Sequence, residues 1–167
     1  MYKSETSKVR HIVKPYLIGK GIDIGFGGDK VDKSFDGCDL PKGYAVTGND
    51  KNDIPADITK GLPIADETYD TVYSSHLIED FQDTRIILVE MLRILKPGGN
   101  LILVFPDEQK YKTHCINTNQ PYNHHHKHAD MCMDFMAILF FNFDNWDALI
   151  YEELAPYNCI IMATKTK

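Results

Sequence analysis

The sequence predicts an α/β sandwich built on a mainly parallel sheet, and three features of the chain support that prediction. Short apolar runs alternate with helical patterns, as in folds whose parallel strands are joined by helices. The run Leu101–Phe105 is continuously apolar, which is typical of a strand covered on both faces. The run Gly21–Ile24 leads directly into a cluster of glycines. A ligand-binding loop is therefore expected at the carboxyl end of the first strand.

The N-terminal third is predicted to contain one helix and three short strands. Residues 4–14 form the helix, which Pro15 brings to an end. Gly21–Ile24 is the first strand, and Asp36–Leu40 is the second. Tyr44–Asp57 contains several turn formers and a weak third strand. The glycine cluster therefore lies between the first two strands.

The middle of the chain has the clearest pattern. Tyr69–Ser74 is rich in aromatic and β-branched residues, so it predicts a strand. Asp83 can cap the next helix, residues 84–95, because the first N–H groups of a helix need an acceptor. Pro97-Gly98-Gly99 is expected to end that helix and turn the chain into the strand at Leu101. The predicted buried positions of the helix include Ile87, Val89, Met91, Leu92 and Leu95.

The C-terminal part is predicted to begin with a long polar loop. Residues 106–129 form this loop and hold five of the seven histidines. Loops of this length are usually functional or mobile. Met131–Phe141 predicts a helix that is mostly core, with exposed members that could form a homodimer surface. Ala148–Leu154 and Cys159–Thr164 predict two terminal strands that form an antiparallel pair.

Composition is that of an ordinary globular protein. The 167 residues are 43% hydrophobic and 25% charged, and they fit one domain. We expect residues 1–18 to form an N-terminal helical extension and residues 106–130 a substrate-side loop. The net charge of −6 argues against nucleic acid or an anionic membrane as the main partner, because phosphate binding relies on surplus Lys and Arg.

Cysteine usage and the absence of apolar targeting segments predict a cytoplasmic location. The four cysteines are scattered and form no C-x-x-C pair, so a reducing compartment is the simpler interpretation. The N-terminus MYKSETSKVRH has no apolar signal core. The longest apolar stretch, Met131–Phe143, is too short and too interrupted to span a bilayer.

Three ligand classes can be compared for the glycine loop. A phosphate-binding Walker loop needs Lys followed by Ser or Thr, and no such segment is present. A dinucleotide loop opens a helix that receives pyrophosphate, but Asp29 places a negative charge there and little chain separates the loop from Asp39. S-adenosylmethionine (SAM) lacks phosphate. It suits close backbone approach by glycine and carboxylates that accept from ribose hydroxyls.

The motifs of this region resemble those of the class I SAM-dependent methyltransferases. The resemblance rests on segments in a fixed order: Asp23–Gly28 (DIGFGG), Asp39, Asp57-Ile58, Leu62–Asp70, Ser74–Glu79 and Glu90–Gly99 (EMLRILKPGG). It is similar to the type 11 branch, and in particular to short members with an abbreviated first helix. The resemblance covers about residues 20–106 and implies a Rossmann-like sandwich with SAM as cofactor.

The resemblance also implies roles for individual residues. Gly25 and Gly27 would let the methionine part of SAM lie against the backbone, with Asp23 near its ammonium group. Asp39 would hold the ribose hydroxyls, and Asp57 would accept from the adenine amino group. The other implied cofactor-binding residues are Leu40, Ile58 and Ser75. Taken singly, the glycines could form only a turn, Asp39 could be a solvated strand end, and Asp57 could cap a short turn.

The acceptor side is less defined by motifs. His76 is the candidate catalytic residue, because it follows the fourth strand and could accept a proton from a hydroxyl or amine nucleophile. It could instead be a polar wall of the pocket. The substrate-side candidates are Glu79, Tyr111, His114, His126 and His128. His124 and His128 have a spacing that could bind zinc on a helix, but nothing predicts a helix there, so we predict no metal.

The leading hypothesis is transfer of a methyl group from SAM to a small-molecule or sugar-like acceptor. The first alternative is a non-catalytic SAM-binding or partner-binding domain, suggested by the short region around the first helix. The second is an NAD-dependent oxidoreductase, which the charge of Asp29 disfavours.

Overall fold

The apolar run Leu101–Phe105 lies in the middle of a strand with both faces covered. Its side chains alternate between two core clusters: Leu101 and Phe105 belong to one, and Ile102 and Val104 belong to the other. All four are at most 1% exposed. The prediction of a strand buried on both faces is therefore confirmed.

The computed structural model describes residues 4–43, 46–141, 143–144 and 146–166. The helices are α1 (Glu5–Val13), α2 (Thr84–Ile94), α3 (Glu108–Thr118) and α4 (Met133–Phe141). The strands are β1 (Gly21–Ile24), β2 (Asp36–Asp39), β3 (Ile54–Pro55), β4 (Tyr69–Ser75), β5 (Leu95–Pro106), β6 (Trp146–Leu154) and β7 (Asn158–Lys165). Among the described helices, none is long and apolar enough to cross a bilayer.

The seven strands form one sheet in the order β3-β2-β1-β4-β5-β7-β6. The first five strands pair in parallel, whereas β7 pairs antiparallel with both β5 and β6. The predicted Rossmann-like sandwich with a C-terminal antiparallel pair is confirmed. The order reverses between β1 and β4, so their carboxyl ends form the switch point at which such sheets bind ligands.

Helices cover the two faces of the sheet unequally. One face packs against α2 and α4, through residues such as Ile87, Met91 and Phe140. The other face packs against α1, through Val9 and Val13. The predicted helix over residues 4–14 is therefore present as α1, and its apolar residues face the core.

The link between β1 and β2, residues 25–35, contains no helix. This agrees with the predicted abbreviated first helix. Side chains from α1 hold the link instead: the Arg10 guanidinium donates to the carbonyl oxygens of Lys30 (3.0 Å) and Val31 (3.1 Å) and to the carboxylate of Asp29 (2.7 Å). The Ser4 hydroxyl also donates to Asp29.

The long loop predicted over residues 106–129 is wrong for its first half, which forms α3. Asp107 caps this helix by accepting from the Lys110 N–H at 3.0 Å, and Asn119 ends it in the left-handed conformation. Only Glu108 and Cys115 of α3 are buried. A helix with so few buried positions has no clear apolar periodicity, and for that reason the sequence pattern did not reveal it.

Two details of α2 and β5 also differ from the predictions. Val89 is 49% exposed, so its predicted burial is wrong; it lies on the outer side of α2. The strand β5 begins at Leu95, so Pro97-Gly98-Gly99 lies within the strand, where its pairing with β4 is irregular. The cap by Asp83 is confirmed, because its carboxylate accepts from the first N–H groups of α2.

Candidate functional site

The glycine loop begins where β1, β2 and β4 end side by side. Ile24 is in register with Cys38 of β2 and Ser74 of β4, so the residues that follow these strands are neighbours. Gly25 donates its N–H to the Cys38 carbonyl at 2.7 Å. The parallel sheet thus brings three separated motifs to one edge.

Gly25 needs to be glycine at this edge. Its φ is +72°, and an added Cβ would lie 2.8 Å from Leu77 Cδ1. A side chain would therefore be strained by its backbone and would collide with Leu77. The next loop glycine, Gly27, donates its N–H to Asp39 Oδ2 at 3.0 Å. Asp39 Oδ1 accepts from the Leu40 N–H at 2.7 Å, so this carboxylate fixes the loop to the end of β2.

A cavity of about 280 Å³ lies between the ends of β1, β2 and β3. Three carboxylates, Asp39, Asp57 and Asp80, line its wall, and Leu40, Ile58 and Phe81 supply apolar surface. Among its lining residues in the described part of the chain there is no Lys or Arg. A pyrophosphate would find no lysine or arginine here and would face carboxylates, whereas hydroxyls and an apolar ring system would find partners.

Asp57 also caps the short 3₁₀ turn Ile58–Lys60. Its Oδ1 accepts from the Thr59 N–H at 3.1 Å and from the Thr59 hydroxyl at 2.6 Å. The hydrogen bonds from Thr59 and Lys60 lower the pKa of Asp57, so it is ionised at neutral pH. The local capping role and a cavity-wall position therefore coexist in this residue.

Asp23 is fully buried beneath the loop. Its Oδ2 accepts from the Val31 N–H at 2.7 Å, which ties the far end of the loop to β1. Burial raises the pKa of Asp23 well above its ordinary value. Neither Asp23 nor Gly27 is among the residues that line the two cavities of the site. Both instead fix the path of the loop, Asp23 through its bond to Val31 and Gly27 through its bond to Asp39.

A second, larger cavity of about 600 Å³ adjoins the first, and Asp80 and His125 line both. Four of the predicted residues line this larger cavity: Ser75, His76, Tyr111 and His126. The lining residues that were not predicted include Glu5, Tyr122 and Tyr157.

His76 stands where β4 ends, with its backbone in the left-handed region at φ +50°. Its Nδ1 lies 3.1 Å from Glu79 Oε1, and its Nε2 lies 2.9 Å from Asn158 Oδ1 and 3.7 Å from Glu5 Oε2. Burial acts to lower the pKa of His76, but the carboxylates of Glu79 and Glu5 outweigh it, and the pKa is raised above its ordinary value. Non-glycine residues with such a backbone are often found at functional sites.

The remaining substrate-side candidates, Glu79, His114 and His128, line neither of these two cavities. The Glu79 side chain is fully buried and lies behind His76. His114 lines a separate cavity and packs on the Tyr157 ring at 5.1 Å. The Nε2 atom of His128 lies 2.8 Å from the Phe81 carbonyl oxygen, so this ring anchors its loop.

No helix spans His124–His128, so these two side chains do not share a helical face. Across the described residues, no group of three or more His, Cys, Asp or Glu side chains could hold a metal ion.

The residues that the sequence analysis missed come from distant segments. Glu5 belongs to α1, and Tyr157 follows β6. Tyr122 and the buried Glu108 share a hydrogen bond, and Glu108 Oε2 lies 2.8 Å from His126 Nδ1. No motif marks these positions, because they meet only through tertiary contacts.

The smaller cavity fits SAM better than a dinucleotide. Its carboxylates suit hydroxyl and amino donors, its apolar walls suit adenine, and Gly25 permits a close backbone approach. The residues present therefore fit this cofactor, with Asp39, Asp57, Ile58 and Leu40 around the nucleoside.

Comparison with known proteins agrees with this geometry. A methyltransferase domain model matches residues 22–103. A protein of Methanocaldococcus jannaschii with no assigned function is 32% identical over 117 residues, which are 66% of this chain and 55% of that protein. A demethylmenaquinone methyltransferase of Streptomyces griseus is 36% identical over 69 residues, which are 40% of this chain and 30% of that enzyme.

A solved SAM-dependent methyltransferase of Archaeoglobus fulgidus shares the fold, with a TM-score of 0.69 and 15% identity. The match covers 96% of this chain and 92% of that one. The chain spans about half the length of the first curated relative and about a third of the second. With the ordered motifs and the sheet, these matches place the chain in the class I SAM-dependent methyltransferases, type 11 branch, whose cofactor is S-adenosylmethionine.

Proposed function

We propose that the chain transfers a methyl group from SAM to a small-molecule or sugar-like acceptor. The observation that carries the proposal is the pair of adjoining cavities, which share Asp80 and His125. The smaller cavity would hold the nucleoside, and the larger cavity would hold the methionine end together with the acceptor. The demethylmenaquinone methyltransferase that matches part of this chain is named for a small-molecule acceptor, which supports that class.

The proposed cofactor contacts follow the walls of the site. Asp39 and Leu40 would contact the ribose, and Asp57 and Ile58 would contact the adenine. Gly25 and Ser75 would lie beside the methionine part. Asp23 and Gly27 would act through the loop, because their hydrogen bonds to Val31 and Asp39 fix its path.

When bound, the cofactor supplies a methyl group activated by a positively charged sulfur, so the protein contributes mainly proximity and alignment. We assign the movement of a proton to His76, which lines the cavity proposed for the acceptor. Its Nε2 would take the proton of an acceptor hydroxyl or ammonium group. Once protonated, Nε2–H can donate to Asn158 Oδ1 at 2.9 Å, and this bond stabilises the charged ring.

Two measurements test the proposal. Calorimetry should detect SAM binding, and mass spectrometry of an acceptor panel should detect the gain of one methyl group only when SAM is present. His76→Gln should lower kcat for protonated acceptors by about 10²- to 10⁴-fold. An absence of SAM binding at millimolar ligand would refute the proposed function.

A non-catalytic SAM-binding or partner-binding domain is the second candidate, and the helix-free link between β1 and β2 favours it. This candidate predicts SAM binding without turnover on every acceptor of the panel. Methylation of any acceptor would exclude it.

The domain organisation and the cellular setting are also proposals. We infer one domain over residues 1–167, with residues 1–18 as an N-terminal extension and 106–130 on the acceptor side. A homodimer through α4 is supported by Ile138, which is 64% exposed on that helix. The acidic net charge supports an assignment without nucleic-acid or membrane partners. The free state of all four cysteines supports a cytoplasmic location.

A further inference from the structure

Glu79 is a buried carboxylate that lines neither cavity. Its side chain is 0% exposed, and its Oε1 atom lies 3.1 Å from His76 Nδ1 and 3.8 Å from His126 Nε2. A buried carboxylate that keeps its charge needs a compensating positive or hydrogen-bonding group. In the described part of the chain, these two imidazoles are the basic side chains within 4.0 Å of Glu79.

The row of titratable groups continues past His126. The Nδ1 atom of His126 lies 2.8 Å from Glu108 Oε2, and the other oxygen of Glu108 accepts from the Tyr122 hydroxyl. The side chains of Glu108 and His126 are 0% and 3% exposed. Three segments meet in this row: the turn after β4, the start of α3, and the loop before α4. The Lys127 N–H also donates to the Glu79 carbonyl oxygen at 2.8 Å, which fixes that loop to the turn.

The contact with Glu79 decides which nitrogen of His76 faces the acceptor. Because Nδ1 lies 3.1 Å from the carboxylate, Nε2 is the nitrogen left on the side of Asn158 and Glu5, both of which face the carboxyl end of β4. The ring edge also contacts the Tyr157 ring, with 6.1 Å between centroids. The imidazole is therefore held in one orientation, as a general base requires.

We propose that Glu79 is the positioning residue of His76, and that the His126–Glu108 pair holds Glu79 in place from its other side. This inference rests on the proposed function. In the step it serves, the acceptor O–H or N–H bond breaks and its proton joins His76 Nε2. The freed electron pair forms the bond to the methyl carbon, and the carbon–sulfur pair stays on sulfur. The Glu79 carboxylate stabilises the imidazolium that forms.

The charges around His76 give the pH direction. The His76 ring faces Glu79 from the turn after β4, Glu5 from α1 and Tyr157 from the β6–β7 turn. The Lys8 Nζ atom lies 2.6 Å from the other oxygen of Glu5. Two carboxylates thus act on the ring directly, and the one lysine is already paired. Removal of the Glu79 charge should make the imidazolium less stable, so His76 should lose its proton at lower pH.

The test is an NMR titration of the His76 imidazole in the full chain, compared between wild type and Glu79→Gln. The expected result is a pKa lower by about 1 unit or more in the variant, because an opposite charge within ~4–6 Å shifts a pKa by about 1–3 units. The matched control is Glu67→Gln. Its side chain is 55% exposed and precedes β4, at the opposite end of the strand, so the His76 pKa should not change.

The pH dependence of kcat gives a second measurement. The alkaline rise of kcat should move to lower pH in Glu79→Gln while the calorimetric affinity for SAM stays within about twofold. A His76 pKa that is unchanged in a folded Glu79→Gln overturns the proposal.

A wild-type His76 pKa at or below about 6.5, the ordinary value, also overturns it, whether or not the variant folds. These titrations need neither SAM nor acceptor, so a failure of the proposed function is seen separately as absent SAM binding.

Discussion

Replacement of Asp39 by Asn gives the sharpest test of the cofactor site. The two carboxylate oxygens of Asp39 accept from Gly27 N–H at 3.0 Å and from Leu40 N–H at 2.7 Å. They also face the cavity proposed for the nucleoside. Asparagine keeps the size of the side chain but replaces one acceptor oxygen with a donor, so at least one of these interactions must be lost.

The expected loss follows from the value of one hydrogen bond to a charged group, about 1.5–3 kcal/mol. At 1.4 kcal/mol for each factor of ten, the Kd for SAM should rise by about 10- to 100-fold. Isothermal titration calorimetry measures this directly, and circular dichroism confirms that the fold persists.

Asp36→Asn is the matched control, since Asp36 starts the same strand and its side chain is 38% exposed. Asp36 accepts from the Tyr69 hydroxyl at 2.8 Å, a bond that the amide oxygen of asparagine can keep, so this variant makes the same Asp-to-Asn change away from the cavity. Its affinity for SAM should stay within about twofold of wild type. An undiminished affinity in folded Asp39→Asn would refute the assignment of the smaller cavity.

Three further predictions concern the loop, a supporting ion pair and pH. Gly25→Ala should weaken SAM binding and destabilise the fold by about 1–2 kcal/mol in urea unfolding, because the φ of +72° disfavours a side chain and Leu77 is in the way; unchanged values would contradict the strain argument. Arg93→Ala removes the pair with Glu90 at 2.6 Å and two bonds to carbonyl oxygens, so calorimetric Tm should fall by about 4–8 °C, corresponding to about 2 kcal/mol, with SAM affinity retained. The folded-state pKa of His76 is raised above its unfolded value of about 6.5, so its stabilisation is complete below that pH and is lost as pH rises through the folded value. The difference in urea midpoint between wild type and His76→Gln should therefore shrink as the pH rises through the folded-state pKa of His76. A difference that does not depend on pH would contradict this.

The sheet and the cofactor side of the site could be predicted because their signals are local. Each motif of the first half follows a short strand, and parallel strands bring such ends to one edge. Asp39 and Asp57 reach the same cavity in this way, although 18 positions separate them in the chain. The apolar run in β5 likewise predicts burial on both faces from its own composition.

The acceptor side could not be predicted in the same way. Glu5 and Tyr157 are 152 positions apart, yet the Tyr157 hydroxyl donates to Glu5 at 2.9 Å. Such contacts depend on the position of α1 over the sheet, which no local pattern gives. The polar helix α3 was missed for a related reason: its buried Glu108 is held by Tyr122 and His126, not by an apolar stripe.

The hydrogen bonds between the α1 region and the helix-free link of residues 25–35 should affect how cofactor binding depends on temperature. In the described chain, the contacts of Arg10 and Ser4 take over part of the support that a helix would give this link. A helix that buries only a few of its side chains, as α1 buries Thr6, Val9 and Val13, opens at lower temperatures than a central sheet does. Fraying of α1 should therefore release the glycine segment early on warming, and affinity for the nucleoside would decline well before the sheet melts.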